Sequence, residues 1–338
     1  MQHPFFLVHW CSRIHIYYCV KKRIRIFAIV SILFFLLMLI FFPARYMSAV
    51  RDGLLLFVLS VLPAMLPFFF FSRLLTSLDV ASSLADYTKK PLAKLFGAPD
   101  IGGYILIMSM LSGYPIGAKL VSDCCENGIC SKEEAKRLLA FTSTSGPLFI
   151  LGTVGMNMLG NYTAGMIILL THYLGAILNG MIFRGKTAAV SAKNFVLPKY
   201  DNLLADAING SIAAVLAVGG YIAIFNMIIV VCQDIKLIGF LSETFCKLGI
   251  PYKLCEGGVT GIIEITRGAY LISTSGDCLT RTVPLLAALI SFGGLSVTVQ
   301  SLSFLSGCGI KARYYLLTKA SHCIVTYFLA TLTAMVIL

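Results

Sequence analysis

The chain has 338 residues, of which 58% are apolar and only 12% are charged, and its mean hydropathy is +0.88. Soluble domains carry about 25% charged residues, so this composition excludes a soluble cytosolic enzyme, a nucleic-acid-binding module and a disordered chain. The net charge of +12 does not indicate nucleic acid, because most Lys and Arg lie between apolar runs, where they orient a membrane protein. The sequence predicts an all-α polytopic membrane protein.

The N-terminal part of the chain is predicted to be a basic cytoplasmic segment over residues 1–25. A signal-anchor helix over 26–42 follows it, without a small-residue cleavage site. Eight further apolar segments come next, at 53–71, 100–119, 139–159, 164–183, 210–231, 257–272, 283–305 and 314–338. The segments 100–119 and 257–272 are short or are interrupted by Gly, Pro and charge, so they are the weakest candidates for full spans.

The two halves of the chain are weakly similar in the same order. The stretches that align are 102-GGYILIMSMLSG-113 with 257-GGVTGIIEITRG-268, 140-AFTSTSGPLF-149 with 288-ALISFGGLSV-297, and His172 with His322. A constant order at nearly constant separation predicts a duplication. Its boundaries are a first repeat at 53–183, a polar connector at 184–207 and a second repeat at 208–338.

The distribution of loop charge predicts the orientation of these repeats. If all nine segments span the membrane, 14 of the 25 Lys and Arg assigned to loops or segment edges lie inside; if the two weak segments re-enter, 19 do. The positive-inside rule favours the second arrangement. We therefore predict two inverted repeats with broken or re-entrant helices, about seven full spans plus two re-entrant segments, as in many secondary transporters. Eight to nine full spans remain the alternative.

The first re-entrant segment has a candidate tip at 112-SGYPIG-117, where glycines permit a sharp turn and Pro115 frees a backbone carbonyl. Irregular backbone at membrane depth requires surrounding protein or a polar cavity. Ser112, Gly113 and Tyr114 are therefore candidate substrate-binding residues, with close helix packing as the alternative. Lys119 at the segment end either contacts the substrate or extends to the membrane surface.

The second re-entrant segment contains Glu264 and Arg267, three residues apart and hence on one face of a helix. Intramembrane charges normally face a partner or a water-filled path, so the two side chains either neutralise each other or recognise an anion through Arg267, with Glu264 exchanging a proton. Thr266 and Gly268 belong to the same candidate site. Arg267 and Lys319 are the two basic residues that lie inside apolar runs.

Two further segments carry small hydroxyl residues next to Gly or Pro. The candidate substrate-binding residues there are Thr142, Ser143, Ser145, Gly146, Ser291, Gly293, Gly294 and Ser296. Helices broken at these glycines would direct N-terminal N–H groups towards the membrane centre, which favours a carboxylate or a phosphate. His172 and His322 are either packing residues or, with Glu264, candidates for a proton path.

No motif of an enzyme is present: the chain has no HExxH, GxSxG or Walker loop. The spacing of Cys124, Cys125 and Cys130 matches no standard zinc site. The sequence therefore predicts neither an enzyme nor a bound metal or cofactor.

The stretches 112-SGYPIGAKLVSD-123, 131-SKEEAKRLLAFTSTSGPLFILGTVG-155 and 264-EITRGA-269 resemble the sporulation integral membrane proteins of the YlbJ type. That family carries a nucleoside-recognition or Gate domain. The resemblance implies a bacterial cell-membrane protein of a spore-former, in the outer forespore membrane, and the family has been linked to the movement of dipicolinate, a small aromatic dicarboxylate.

These observations together predict a secondary transporter or facilitator of a small organic anion, dipicolinate by resemblance, that is required for spore maturation. Its expected partners are the lipid bilayer and the anionic substrate but not nucleic acid, and a homo-oligomer is compatible with the sequence. A nucleoside-type carrier and a non-transporting membrane scaffold in sporulation are the alternatives.

Overall fold

The computed structural model describes residues 25–26, 28–78, 80–185 and 202–338. Nearly all of the predicted N-terminal segment 1–25 and most of the connector 184–207 lie outside the described residues. The described residues form helices joined by short loops, and no strand occurs among them. This agrees with the predicted all-α class.

The helices follow one another along the chain with bounds that differ from the predicted spans mainly where a span is broken. They are α1 (Ala28–Phe41), α2 (Pro43–Leu56), the π-helix π1 (Phe57–Val61), α3 (Leu62–Ser77), α4 (Val80–Phe96), α5 (Gly102–Ser112), α6 (Ile116–Glu126), α7 (Lys132–Thr142), the π-helix π2 (Phe149–Met158), α8 (Tyr162–Ile182), α9 (Leu203–Asp234), α10 (Leu237–Cys246), α11 (Tyr252–Ile263), α12 (Ile265–Ser273), α13 (Leu279–Phe292), α14 (Gly294–Leu305) and α15 (Ala312–Ile337).

The chain divides into two units, residues 1–50 and 51–338. In the first unit, the apolar side chains of α1 are largely exposed, as at Ile32 and Ile40. The second unit contains all the predicted substrate-binding residues and the helices from π1 to α15.

Four stretches are long and apolar enough to cross a bilayer: α8, α9, α13 together with α14, and α15. A fifth results if α1 and Pro43–Val61 count as one broken span. The outer faces of these helices expose large apolar side chains, such as Leu332 and Val336 of α15. Exposure of apolar surface on this scale marks contact with lipid or another apolar partner. The chain is an integral membrane protein, and the count of seven full spans stays a prediction.

Helices α8, α13 and α15 pack on one another at the centre of the second unit. Val283, Leu286 and Ile290 of α13 are fully buried there. Between membrane helices, close packing rather than exclusion of water provides the attraction. Gly175 of α8 meets this requirement, because a Cβ at this position would collide with the Thr326 hydroxyl of α15.

Candidate functional site

The first helix break separates α5 from α6 and lies at Gly113. Gly113 has a φ of 71°, and a Cβ at this position would collide with the backbone nitrogen of Gly146. Only glycine adopts this backbone conformation without strain and permits this approach. The break therefore brings Tyr114 and Ser112 next to the extended segment that contains Gly146.

That extended segment, residues 143–146, is the second break and separates α7 from the helix that begins at Pro147. Side chains from other helices form hydrogen bonds with this segment. The backbone N–H of Ser145 donates to Nε2 of His172 (2.9 Å), and the Ser143 hydroxyl lies 2.8 Å from the Tyr315 hydroxyl. Since Nε2 of His172 accepts a hydrogen bond, the neutral ring carries its hydrogen on Nδ1, which donates to Ser291 Oγ at 2.7 Å.

The third break lies at Glu264, between α11 and α12. Glu264 has an extended conformation (φ −140°, ψ 117°), and its carboxylate accepts hydrogen bonds from the backbone N–H groups of Thr266 (3.0 Å) and Arg267 (2.7 Å). This is an N-cap of α12, in which the negative charge stabilises the positive end of the helix. Because the helix is interrupted at Glu264, the expected arrangement of Glu264 and Arg267 on one continuous helical face is wrong.

The fourth break separates α13 from α14 at Gly293 and Gly294, whose φ angles are 86° and 71°. A Cβ at Gly294 would lie only 2.8 Å from the carbonyl oxygen of Gly261 in α11. Gly268 of α12 also lies close to Gly261, since a Cβ added at Gly268 would collide with the Cα of Gly261. The glycines of the second half thus pack the third and fourth breaks against each other.

A cavity of about 60 Å³ lies where these breaks meet. Eight of the predicted substrate-binding residues line it: Ser112, Gly113, Tyr114, Ser145, Gly146, Glu264, Thr266 and Ser296. Phe68, Phe69 and Phe149 supply aromatic walls, and Gln300 adds an amide. Glu264, only 1% exposed to solvent, is the one ionisable carboxylate in the lining.

The remaining predicted residues lie near the breaks but do not line the cavity. Thr142 donates back to the Leu138 carbonyl within α7 (2.8 Å), and Ser291 bonds His172. Gly268 and Gly294 approach the backbone of Gly261, whereas Gly293 faces the side chains of Val297 and Tyr114. Ser143 contacts Tyr315 behind the cavity.

Neither of the two predicted basic ligands reaches the cavity. The Arg267 guanidinium lies 6.0 Å from the centre of the Tyr270 ring, and its Nε is buried without a hydrogen-bond partner among the described residues. No ion pair connects it to Glu264 in the part of the chain that the structure describes. Lys119 is half exposed, 3.9 Å from the Asp123 carboxylate.

The structure adds Lys319 of α15, which the sequence marked as a basic residue in an apolar run but did not assign to the site. Lys319 is 1% exposed, and its Nζ donates to the Ser143 carbonyl (2.8 Å) and to the Tyr114 hydroxyl. Only the tertiary fold reveals these contacts, because Lys319 follows Tyr114 by 205 residues.

The two histidines occupy neighbouring positions on α8 and α15. Their ring centres are 4.8 Å apart, and Nε2 of His322 donates to the backbone carbonyl of His172 (2.9 Å). Neither ring lines the cavity, so their contribution to a proton path stays a prediction. Among the described residues, no group of three or more His, Cys, Asp or Glu side chains is placed to hold a metal ion.

No protein-family model matches the chain. It is 28% identical over 304 residues to the sporulation integral membrane protein YlbJ of Bacillus subtilis (strain 168), which covers 82% of this chain and 74% of that protein. This similarity confirms the resemblance predicted from the sequence motifs.

Among solved structures, the chain is similar to CNTnw in an inward-facing substrate-bound state, with a TM-score of 0.58 and 14% identity over 82% of this chain and 75% of CNTnw. It is equally similar to a doubly substituted CNTnw in an outward-facing state, with a TM-score of 0.57 and 14% identity over 82% of this chain and 76% of the other. At this identity, what is shared is the fold alone.

Proposed function

We propose that this YlbJ-type integral membrane protein is a secondary transporter or facilitator of a small polar organic solute, and that the cavity beside Glu264 is its substrate site. The observation that carries the proposal is the meeting of interrupted helices from both halves of the chain at one polar cavity. Secondary transporters form their sites from broken helices at a repeat interface. The predicted repeats 53–183 and 208–338 would then move against each other around the cavity.

The lining of the cavity favours an uncharged, nucleoside-type solute over a dicarboxylate. Glu264 and the hydroxyls of Ser112, Ser145 and Thr266 can bond polar groups, and the phenylalanine rings offer a flat apolar wall. Among the described residues, the lining contains no Lys or Arg, so a dianion such as dipicolinate would face the Glu264 carboxylate without a compensating cation from the lining. The N-terminal N–H groups of α12 are also already occupied by Glu264.

A small organic anion, the substrate class expected from the sequence, is the second candidate. It is favoured by one observation: Gly146, Leu148 and Phe149 line the cavity at the start of the helix that begins at Pro147. The first N–H groups of a helix have no partner within it and attract negative charge. A protonated Glu264 would remove the opposing charge.

The size of the cavity indicates that the substrate binds to a different conformation of the protein. One water needs roughly 10–15 Å³ of cavity volume, so the cavity of about 60 Å³ has room for only a few waters. Organic ligands occupy sites of about 300–1,000 Å³. The described conformation therefore leaves too little room for an organic substrate at this site, as expected for one stage of an alternating-access cycle.

Uptake into proteoliposomes tests both candidates. Labelled nucleoside and labelled dipicolinate are offered separately, and we expect the nucleoside to be taken up. In Glu264→Gln we expect the uptake rate to fall roughly ten- to a hundredfold, as for one lost hydrogen bond to a charged group. Arg267→Ala is the matched control, since Arg267 does not line the cavity. Normal uptake by Glu264→Gln would show that the site is elsewhere.

A membrane scaffold in the outer forespore membrane remains the alternative from another functional class. It predicts no uptake of either solute and a sporulation defect that follows changes in the segments 119–138 and 184–207, which the scaffold hypothesis takes as soluble loops, more closely than changes at Glu264. Sporulation counts of strains with Glu264→Gln and with loop substitutions distinguish it from transport.

A further inference from the structure

Lys319 presents an unusual combination of burial and partners. Its Nζ contacts two oxygen atoms, the carbonyl of Ser143 and the hydroxyl of Tyr114, and lies 4.4 Å from the centre of the Tyr114 ring. Its other ionisable neighbours among the described residues are His172, His322 and Cys323, and none of these is a carboxylate. A buried lysine amine without a carboxylate partner stays protonated only if other groups supply negative potential.

Two helix ends supply that potential. Ser143 is the C-cap residue of α7, so its carbonyl lies at the negative end of the helix dipole. Tyr114 in turn donates to the carbonyls of Ile290 (3.2 Å) and Ser291 (3.4 Å) in the last turn of α13. Lys319 thus joins the C-terminal end of one helix from each half, directly at one and through Tyr114 at the other.

We propose that the oxygens between the ends of α7 and α13 form a cation site whose cation is supplied by the chain itself, the Lys319 ammonium. Carbonyls at broken helices and helix C-termini coordinate Na⁺ or protons in many transporters, and carbonyl oxygens suit hard monovalent cations. Here the ammonium occupies that position. The junction therefore needs no dissolved cation.

This arrangement also makes Lys319 a positioning residue for the cavity. Tyr114 lines the cavity, and the hydrogen bond from Lys319 fixes the direction of its hydroxyl towards α13. This part of the inference rests on the proposed function. The occupied cation site itself does not, so it is tested without any transport assay.

Thermal unfolding of the full chain in detergent, at constant ionic strength, tests the cation site. The salts are NaCl, KCl, methylammonium chloride and choline chloride. We expect the wild-type Tm to be the same in all four. Lys319→Ala should unfold at a lower temperature in choline and recover by several °C, with saturation, in Na⁺ or methylammonium, because binding to the folded state raises Tm.

Two further variants make the test specific. Lys319→Met fills the same space without an N–H group, so we expect a lowered Tm that no cation restores. Lys247→Ala removes an exposed lysine and should match the wild type in every salt. Equal salt responses of Lys319→Ala and Lys247→Ala would overturn the proposal, as would a saturating Na⁺ response of the wild type that Lys319→Ala retains.

The wild-type measurement stands even if neither Lys319 variant folds: a wild-type Tm that depends saturably on Na⁺ counts against the proposal. Because none of these readings uses a solute, failure of uptake in proteoliposomes would contradict the proposed function and leave the cation site intact.

Discussion

The breaks in the two halves of the molecule are stabilised by opposite charges at opposite helix ends. In the second half, the Glu264 carboxylate caps the N-terminus of the helix that follows it. It accepts hydrogen bonds from the backbone N–H groups of Thr266 and Arg267, which come two and three residues later. In the first half, the C-terminal end of α7 is bonded by Lys319, which comes from α15 and lies 176 residues further along the chain. Both choices match the sign of the helix dipole.

This difference shows that the breaks in the two halves carry different chemistry. Gly113 aligns with Gly268 and Gly146 aligns with Gly294 in the sequence, but Gly268 lies inside α12 and the third break is at Glu264. The charged residues at the breaks do not align between the halves.

The largest expected effect concerns the backbone contact at the first break. Gly113→Ala combines a positive φ with a collision against Gly146, and we expect a loss of roughly 2 to 6 kcal/mol in the free energy of unfolding. Gly128→Ala is the matched control, because its φ of 69° is similar but nothing lies within 4 Å of the added Cβ. Chemical unfolding in detergent measures both, and equal losses would refute the close contact.

His172 provides the next largest effect, since it connects the second break to α13. His172→Ala leaves the buried Ser145 N–H and Ser291 Oγ without this partner, and we expect about 2–4 kcal/mol of destabilisation from the lost bonds and the cavity.

His322→Ala serves as the comparison, because the His322 ring donates one hydrogen bond, to the His172 carbonyl. We expect a smaller shift of Tm than for His172→Ala. A larger shift would mean that the histidine pair, rather than the bridge to Ser145, stabilises this region.

The sequence predicts those parts of the molecule whose signal is local. Composition predicts the all-α membrane class, and short motifs with Gly or Pro predict breaks near Gly113, Gly146 and Gly293 and include eight of the residues that line the cavity. The continuous helix expected through Glu264 and Arg267 is wrong because Glu264 interrupts it, and the contacts of Lys319 were not predicted because its partners lie in distant segments. Contacts between helices far apart in sequence depend on packing that helical periodicity does not encode.

Glu264 sharpens the comparison at the third break. Glu264→Ala removes an N-cap and leaves two buried N–H groups without acceptors, so we expect about 1–3 kcal/mol of destabilisation. Glu264→Gln keeps one acceptor oxygen and should lose about half as much. Thermal unfolding separates the two variants, and identical Tm values for both would show that the carboxylate oxygens do not cap α12.

The smallest effect is expected at Lys119, where the sequence allowed either substrate contact or extension to the membrane surface. Its ammonium is half exposed and 3.9 Å from Asp123, and an exposed pair of this kind contributes about 0–1 kcal/mol. We therefore expect Lys119→Ala to keep the wild-type Tm and the wild-type rate of solute uptake. A large fall in uptake at unchanged Tm would instead mean that Lys119 binds the substrate at the first break. The substrate would then contact a lysine as well as Glu264, and the contrast between Lys319 at a helix end and Glu264 in the cavity would no longer hold.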